Sequence, residues 1–96
     1  MRFDWAPAAT RDARETWLYI AADNPVAADA WLDRILDAWA GLVERPGIGT
    51  PQDKLFPGLR SRTIGKYRMF YATVDGRVEL LRIIHGARDL SDVSFD

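Results

Sequence analysis

The chain has 96 residues, with 13 Lys and Arg against 14 Asp and Glu, one His and no Cys. That allows one small domain and excludes disulfides, thiolate zinc centres and multi-histidine metal sites. A hydrophobic fraction of 48% with four Trp, four Phe and three Tyr excludes a disordered chain, and no apolar run approaches the ~18 residues that span a bilayer.

The start, Met1-Arg2-Phe3-Asp4, meets an acidic residue at once and lacks the apolar stretch of a signal peptide. The expectation is a single soluble, cytoplasmic domain over residues 1–96, without cofactor or metal. Arg2-Phe3-Asp4-Trp5 alternates and reads as a short strand. Pro7 suits the first turn of a helix, where its missing N–H costs nothing. Ala9, Ala13, Trp17 and Ile20 then recur at helical spacing, ending near Ala22. Asn24-Pro25 caps and opens a second helix. That helix carries two adjoining apolar stripes. Ala28, Trp31, Ile35, Ala38 and Leu42 form one; Leu32, Leu36, Trp39 and Val43 form the other. One neighbour needs only one such face, so the second stripe meets either the sheet or another protein. Asp23, Asp29, Asp33 and Asp37 fall at helical spacing and read as a solvated face.

Arg45-Pro46-Gly47-Ile48-Gly49-Thr50-Pro51 ends the helix in a turn. Its Gly-x-Gly follows no strand, so it is not a phosphate loop. After Pro57-Gly58 the period changes to that of strands: Leu59–Ile64, Tyr67–Val74 and Val78–His85. Asp75-Gly76 is a hairpin signal, because this pair accepts the positive φ of a tight turn. Gly65-Lys66 turns the preceding pair in the same manner. The order is β-α-α-β-β-β, an α+β domain with a helical hairpin packed on an antiparallel sheet.

Charge is polarised along the chain. Residues 1–45 carry five basic and eight acidic side chains, whereas residues 54–88 carry eight basic and two acidic. Such a distribution creates a positive face for an acidic partner, nucleic acid or polypeptide. Arg60 and Arg62 sit two apart on one strand and share a face, as do Arg68 and Phe70 on the next. With Arg82, His85 and Arg88 on and after the last strand, a basic cluster on the uncovered face of the sheet is expected. Guanidinium groups hold phosphate in bidentate fashion, and a histidine beside them would act as general acid or base. The alternative for His85 is a hydrogen-bonded residue at a strand end. No serine-nucleophile motif, Walker lysine or carboxylate dyad is present.

Ala6-Pro7-Ala8-Ala9, Tyr19-Ile20, Asn24-Pro25, Pro46-Gly47-Ile48-Gly49, Pro57-Gly58-Leu59-Arg60, Tyr67-Arg68-Met69-Phe70-Tyr71 and His85-Gly86-Ala87-Arg88-Asp89-Leu90 follow in this order. Together they resemble the RelE/ParE superfamily of toxins from type II toxin–antitoxin modules, its ParE branch more closely. The resemblance implies a toxin that poisons DNA gyrase, blocks replication and arrests growth, stabilising a plasmid or chromosome. It also implies a ParD-like cognate antitoxin in a hetero-oligomeric complex. In this reading there is no catalytic site. Arg60, Arg62, Arg68, Arg82 and Arg88 form the target-binding basic face, and Leu32, Leu36, Trp39, Val43 and Phe70 bind the antitoxin.

The RelE branch implies the alternative, a ribosome-dependent messenger-RNA endonuclease. Arg60, Arg62, Arg68, His85 and Arg88 would then be catalytic and would touch nucleic acid directly. Against it, the tyrosine that RelE-like toxins carry near the carboxy terminus is missing from Ser91–Asp96, where Phe95 has no hydroxyl. An inactive relative that persists as a binding partner is the third reading.

Overall fold

The structure, a computed structural model, describes residues 4–95. Helix α1 spans Pro7–Ala21 and helix α2 spans Pro25–Glu44. Both begin on proline, and Asn24 caps α2 by accepting the Ala27 amide at 3.1 Å. A 3-10 turn, Pro46–Ile48, leads to strands β1 (Thr50–Pro51), β2 (Arg60–Ile64), β3 (Tyr67–Val74) and β4 (Arg77–His85). The four strands form one antiparallel sheet in chain order. This is the expected α+β arrangement, with two differences at the strands.

Of the expected amino-terminal strand, Arg2 and Phe3 lie outside the described residues. Trp5 makes a single parallel bridge to Leu80, held by Leu80 N–H to Asp4 O and Ala6 N–H to Leu80 O. The fourth strand is instead β1. Two residues carry no period, so sequence reading took this stretch as turn alone.

The hairpins follow their turn residues. Asp75 and Gly76 both have positive φ, 51° and 76°, between the paired Val74 and Arg77. Gly65, at φ 59°, takes the first central position between Ile64 and Tyr67, as a type II′ turn requires. The β3–β4 register shifts at Phe70/Tyr71. Tyr71 pairs with Leu80 and Phe70 with Arg82, leaving Leu81 as an extra residue.

Packing gives the sheet two covered faces. On one, α1 and α2 meet Met69, Tyr71, Leu80 and Ile83 through Ala9, Ala13, Trp31, Ile35, Trp39 and Leu42. Ala9 and Ala28 are fully buried; residues this small let helix backbones approach closely. The other face is not bare. The carboxy-terminal segment crosses it, seating Leu90, Val93 and Phe95 against Leu59, Phe70, Ala72, Leu81 and Ile84. The Phe95 ring lies 4.9 Å from that of Phe70.

Candidate functional site

The basic residues do not form one cluster on an uncovered face. Arg60 stands opposite Tyr71 and Arg62 opposite Met69, on the helix side of the sheet. Arg68 stands opposite Thr63 and shares its side with Phe70, on the tail side. Arg60 is also tied down: it donates to the Gly49 carbonyl at 2.7 Å and to that of Gly47 at 3.4 Å. Arg62 is exposed and Arg68 half-buried, and both border a polar depression of about 420 Å³ with Gln52, Ser61 and Thr63. Gln52 donates to the Ser61 hydroxyl at 2.9 Å across it.

Arg82 is a structural residue. Its guanidinium forms a bidentate pair with Asp12 of α1, Nε–Oδ2 at 2.7 Å and Nη2–Oδ1 at 3.0 Å. A third bond runs from Nη1 to the Ser94 carbonyl at 3.3 Å. Asp12 Oδ2 also accepts the Ile83 amide at 3.0 Å. The hydrogen bond that Arg82 donates to Asp12 holds its pKa above the ordinary value, against the opposing effect of burial. One side chain thereby joins α1, β4 and the carboxy-terminal segment. Its expected place on a target-binding face is corrected.

His85 ends β4 and is exposed. Its Nδ1 accepts the Ala87 amide at 3.0 Å, so the neutral ring carries its proton on Nε2. This is the hydrogen-bonded strand-end histidine that sequence reading weighed as the alternative. Arg88 lies just beyond, 3.9 Å from Asp92 across a solvent-exposed pair. Asp89 accepts the Ser91 amide at 2.9 Å, which lowers its pKa below the usual carboxylate value.

The second stripe of α2 divides. Trp39 is only 4% exposed and packs edge-on to Trp5, ring centroids 6.4 Å apart. It is a core residue, which corrects the expectation of an exposed anchor. Phe70 is fully buried beneath Phe95, so it too is covered. Leu32 and Leu36 are half-buried, and Val43 is exposed. Leu32 borders an apolar depression with Trp17 and Leu18, beside the Trp17 Nε1–H to Asp29 bond at 3.0 Å.

A larger concavity than either of these lies elsewhere, at the end of the domain where α1, α2, the β2–β3 turn and the end of β4 meet. It holds about 830 Å³. Ile20, Trp31, Ile64 and Ile83 line it, and Arg34, Lys66, His85 and Arg88 stand around it. Tyr67 stands edge-on between Trp31 (5.5 Å) and His85 (5.2 Å). The structure thus brings His85 and Arg88 together and adds Arg34 and Lys66, which sequence reading missed. Lys66 sits in the tight turn, a local signal that it projects from the sheet's end. Arg34 arrives from α2 and had no such signal. Among the described residues no group of three His, Asp or Glu is placed to hold a metal ion, and no helix is long and apolar enough to cross a membrane.

A family model described as the ParE toxin of the type II toxin-antitoxin system, parDE, matches residues 3–90. Among solved structures, a chain from a "Chromosomal ParDE TA system from P. aeruginosa" superposes with a TM-score of 0.73 at 19% identity. The alignment covers 88% of this chain and 95% of that one, a likeness of fold. No curated protein matches the sequence.

Proposed function

The chain belongs to the ParE family of toxins from type II toxin–antitoxin systems, and from that premise we propose that it acts in the cytoplasm by binding and inhibiting DNA gyrase, without chemistry of its own. A cognate, ParD-like antitoxin neutralises it. The observation that carries this reading is the dispersal of the expected arginine set: of Arg60, Arg62, Arg68, Arg82 and Arg88, only Arg88 stands with His85 at the end groove. RNA cleavage needs cations and a proton carrier converging on one phosphodiester. Here Arg60 is spent on backbone carbonyls and Arg82 on Asp12. Arg62 and Arg68 point to opposite faces of the sheet and border a depression that His85 does not line. Phe95, near the chain end where RelE-like toxins carry tyrosine, is buried against Phe70. A toxin that acts by contact needs no such convergence. Arg62, Arg68 and Arg88 are the basic residues best placed to meet a target.

The test adds purified toxin to a gyrase supercoiling reaction and, separately, to translating ribosomes. Loss of supercoiling with accumulation of cleaved DNA complexes supports the proposal. Cleaved messenger with unaffected gyrase overturns it in favour of the endonuclease. His85→Ala belongs in the same experiment, because it leaves gyrase inhibition intact under this reading and abolishes cleavage under the other.

A further inference from the structure

The polar depression beside β1 is lined almost wholly by residues that can donate hydrogen bonds. Arg62 and Arg68 border it from opposite faces of the sheet, with Thr50, Gln52, Ser61 and Thr63 between them. Among the described residues no carboxylate lines it, and neither arginine has an acidic partner. Ser61 is only 6% exposed. Its hydroxyl oxygen accepts from Gln52, so its own hydrogen is left to donate. The Thr63 main chain adds an N–H beside its carbonyl. Ile64 and Tyr67 close a two-residue hairpin, and in an antiparallel ladder alternate residues turn their N–H and carbonyl away from the partner strand. Ser61 and Thr63 therefore face the β1 edge, where Thr50 pairs with Ser61 and β1 has no residue opposite Thr63.

From this we infer that the depression seats a backbone phosphate of DNA, so that the toxin meets the DNA of the gyrase complex as well as the enzyme. The inference rests on the reading of this chain as a gyrase inhibitor. A carboxylate is planar and matches one guanidinium fork. Two forks from opposite faces, with hydroxyl and amide donors between them, suit a tetrahedral phosphate, which presents oxygens to both. No aromatic ring among the described residues lines the depression. A base therefore has nothing on which to stack, and the contact is to the backbone, without sequence readout. His85 lines the end groove instead, so no imidazole is at hand to move a proton, and a phosphodiester held here stays intact. One phosphate is a weak hold for a chain of net charge −1. The contact adds to the grip on gyrase and does not replace it.

The experiment measures affinity of the full chain for gyrase with and without linear duplex DNA. Wild type is compared with Arg62→Gln plus Arg68→Gln, and with the charge-matched Arg11→Gln plus Arg14→Gln at exposed positions of α1. Thermal melts check folding, and Arg62→Gln alone, at an exposed position, stands in where the pair lowers stability. DNA tightens binding of the wild type and of the control pair. In the depression pair that gain falls about tenfold, and the slope of log affinity against log salt drops by about 0.9, the value of one phosphate. A wild type that gains nothing from DNA, or equal losses from both pairs, overturns the inference. A second readout needs no gyrase. A short DNA duplex, RNA of the same sequence, inorganic phosphate and an oligoglutamate peptide are each titrated into the isotope-labelled chain. The DNA shifts the Arg62 and Arg68 Nε–H and Thr63 amide resonances, saturably and at lower concentration than the other three. A stronger response to oligoglutamate makes the occupant a polypeptide, one to RNA makes it a different strand, and one to phosphate alone makes it a free anion. Each of these overturns the inference, as does no response. If the wild-type chain leaves gyrase unbound while DNA still shifts these resonances, the gyrase reading falls and the phosphate site stands.

Discussion

Arg82→Ala separates a structural arginine from a functional one. The substitution removes two short charge-assisted bonds to Asp12 and the bond to the Ser94 carbonyl. It leaves the Asp12 carboxylate, 11% exposed in the intact pair, with the Ile83 amide as its remaining donor. Breaking a buried pair from one side costs about 3–5 kcal/mol, because the surviving charge is stranded. The retained Ile83 bond puts the expectation at the lower end, about 3 kcal/mol. A domain of this size loses roughly 4–8 °C of melting temperature per kcal/mol, so the fall is roughly 12–24 °C. Urea denaturation followed by tryptophan fluorescence measures it, since Trp31 and Trp39 lie in the core. Asp12→Ala and the double variant complete a cycle with a coupling of about 1.5 kcal/mol or more. Arg82→Lys does not rescue, because an ammonium cannot reproduce the two-pronged geometry. A loss below about 0.5 kcal/mol, the range of an uninvolved surface site, would refute the structural assignment. The pH behaviour is a second check. A raised arginine pKa contributes stability that is complete below the ordinary arginine value and is lost only as pH rises above it. Arg82 therefore adds no slope to the stability curve near neutrality.

Trp39→Ala should destabilise the free toxin by about 3–5 kcal/mol, as expected of a buried aromatic; a melting temperature left unchanged would return Trp39 to the surface. Tyr71→Phe strips a hydroxyl that donates to the Pro46 carbonyl at 2.6 Å and accepts the Gly49 amide at 2.8 Å. Two groups lose their partner, for an expected cost of about 2 kcal/mol in a urea melt, and a change within a few tenths would show the bonds to be replaced by water. Asp89 has a lowered pKa, so its turn with Ser91 is fully held above the ordinary value of 3.8 and is released as pH falls through the lower folded value. The Ser91 amide resonance should shift across that acid window in wild type and stay flat in Asp89→Asn; a wild-type shift centred above 3.8 would refute the sign.

The helices were legible because their limits are written locally. Pro7 and Asn24-Pro25 fix where each begins, and Asp75-Gly76 fixes the last hairpin. The second face of the sheet was not legible. Leu90, Val93 and Phe95 follow no helical or strand period, and their burial depends on sheet partners six to thirty-six positions away in the chain. Periodicity also cannot tell a core stripe from a docking stripe. A 20-residue helix crossing both α1 and the sheet buries more than one row, which is why Trp39 turned inward.

The scatter of the arginines has a cause that was partly readable. A two-residue turn at Gly65-Lys66 sets Ile64 against Tyr67, and every pair behind it follows: Arg62 opposite Met69, Thr63 opposite Arg68. Cross-strand partners share a side and neighbours alternate. Arg68 must then lie on the side of Thr63, away from Arg60 and Arg62, once that turn is accepted. The bulge in the β3–β4 pairing has no such local signature. By inserting Leu81 it sets Arg82 opposite Phe70, and Asp12 of α1 then binds it. Lys66 follows from the same turn, which lifts it to the end of the sheet. Arg34 meets it there only because α2 packs across the sheet and carries its guanidinium over Gly65. A charge cluster drawn from two elements 32 positions apart is a property of tertiary packing, which no periodicity along the chain can announce.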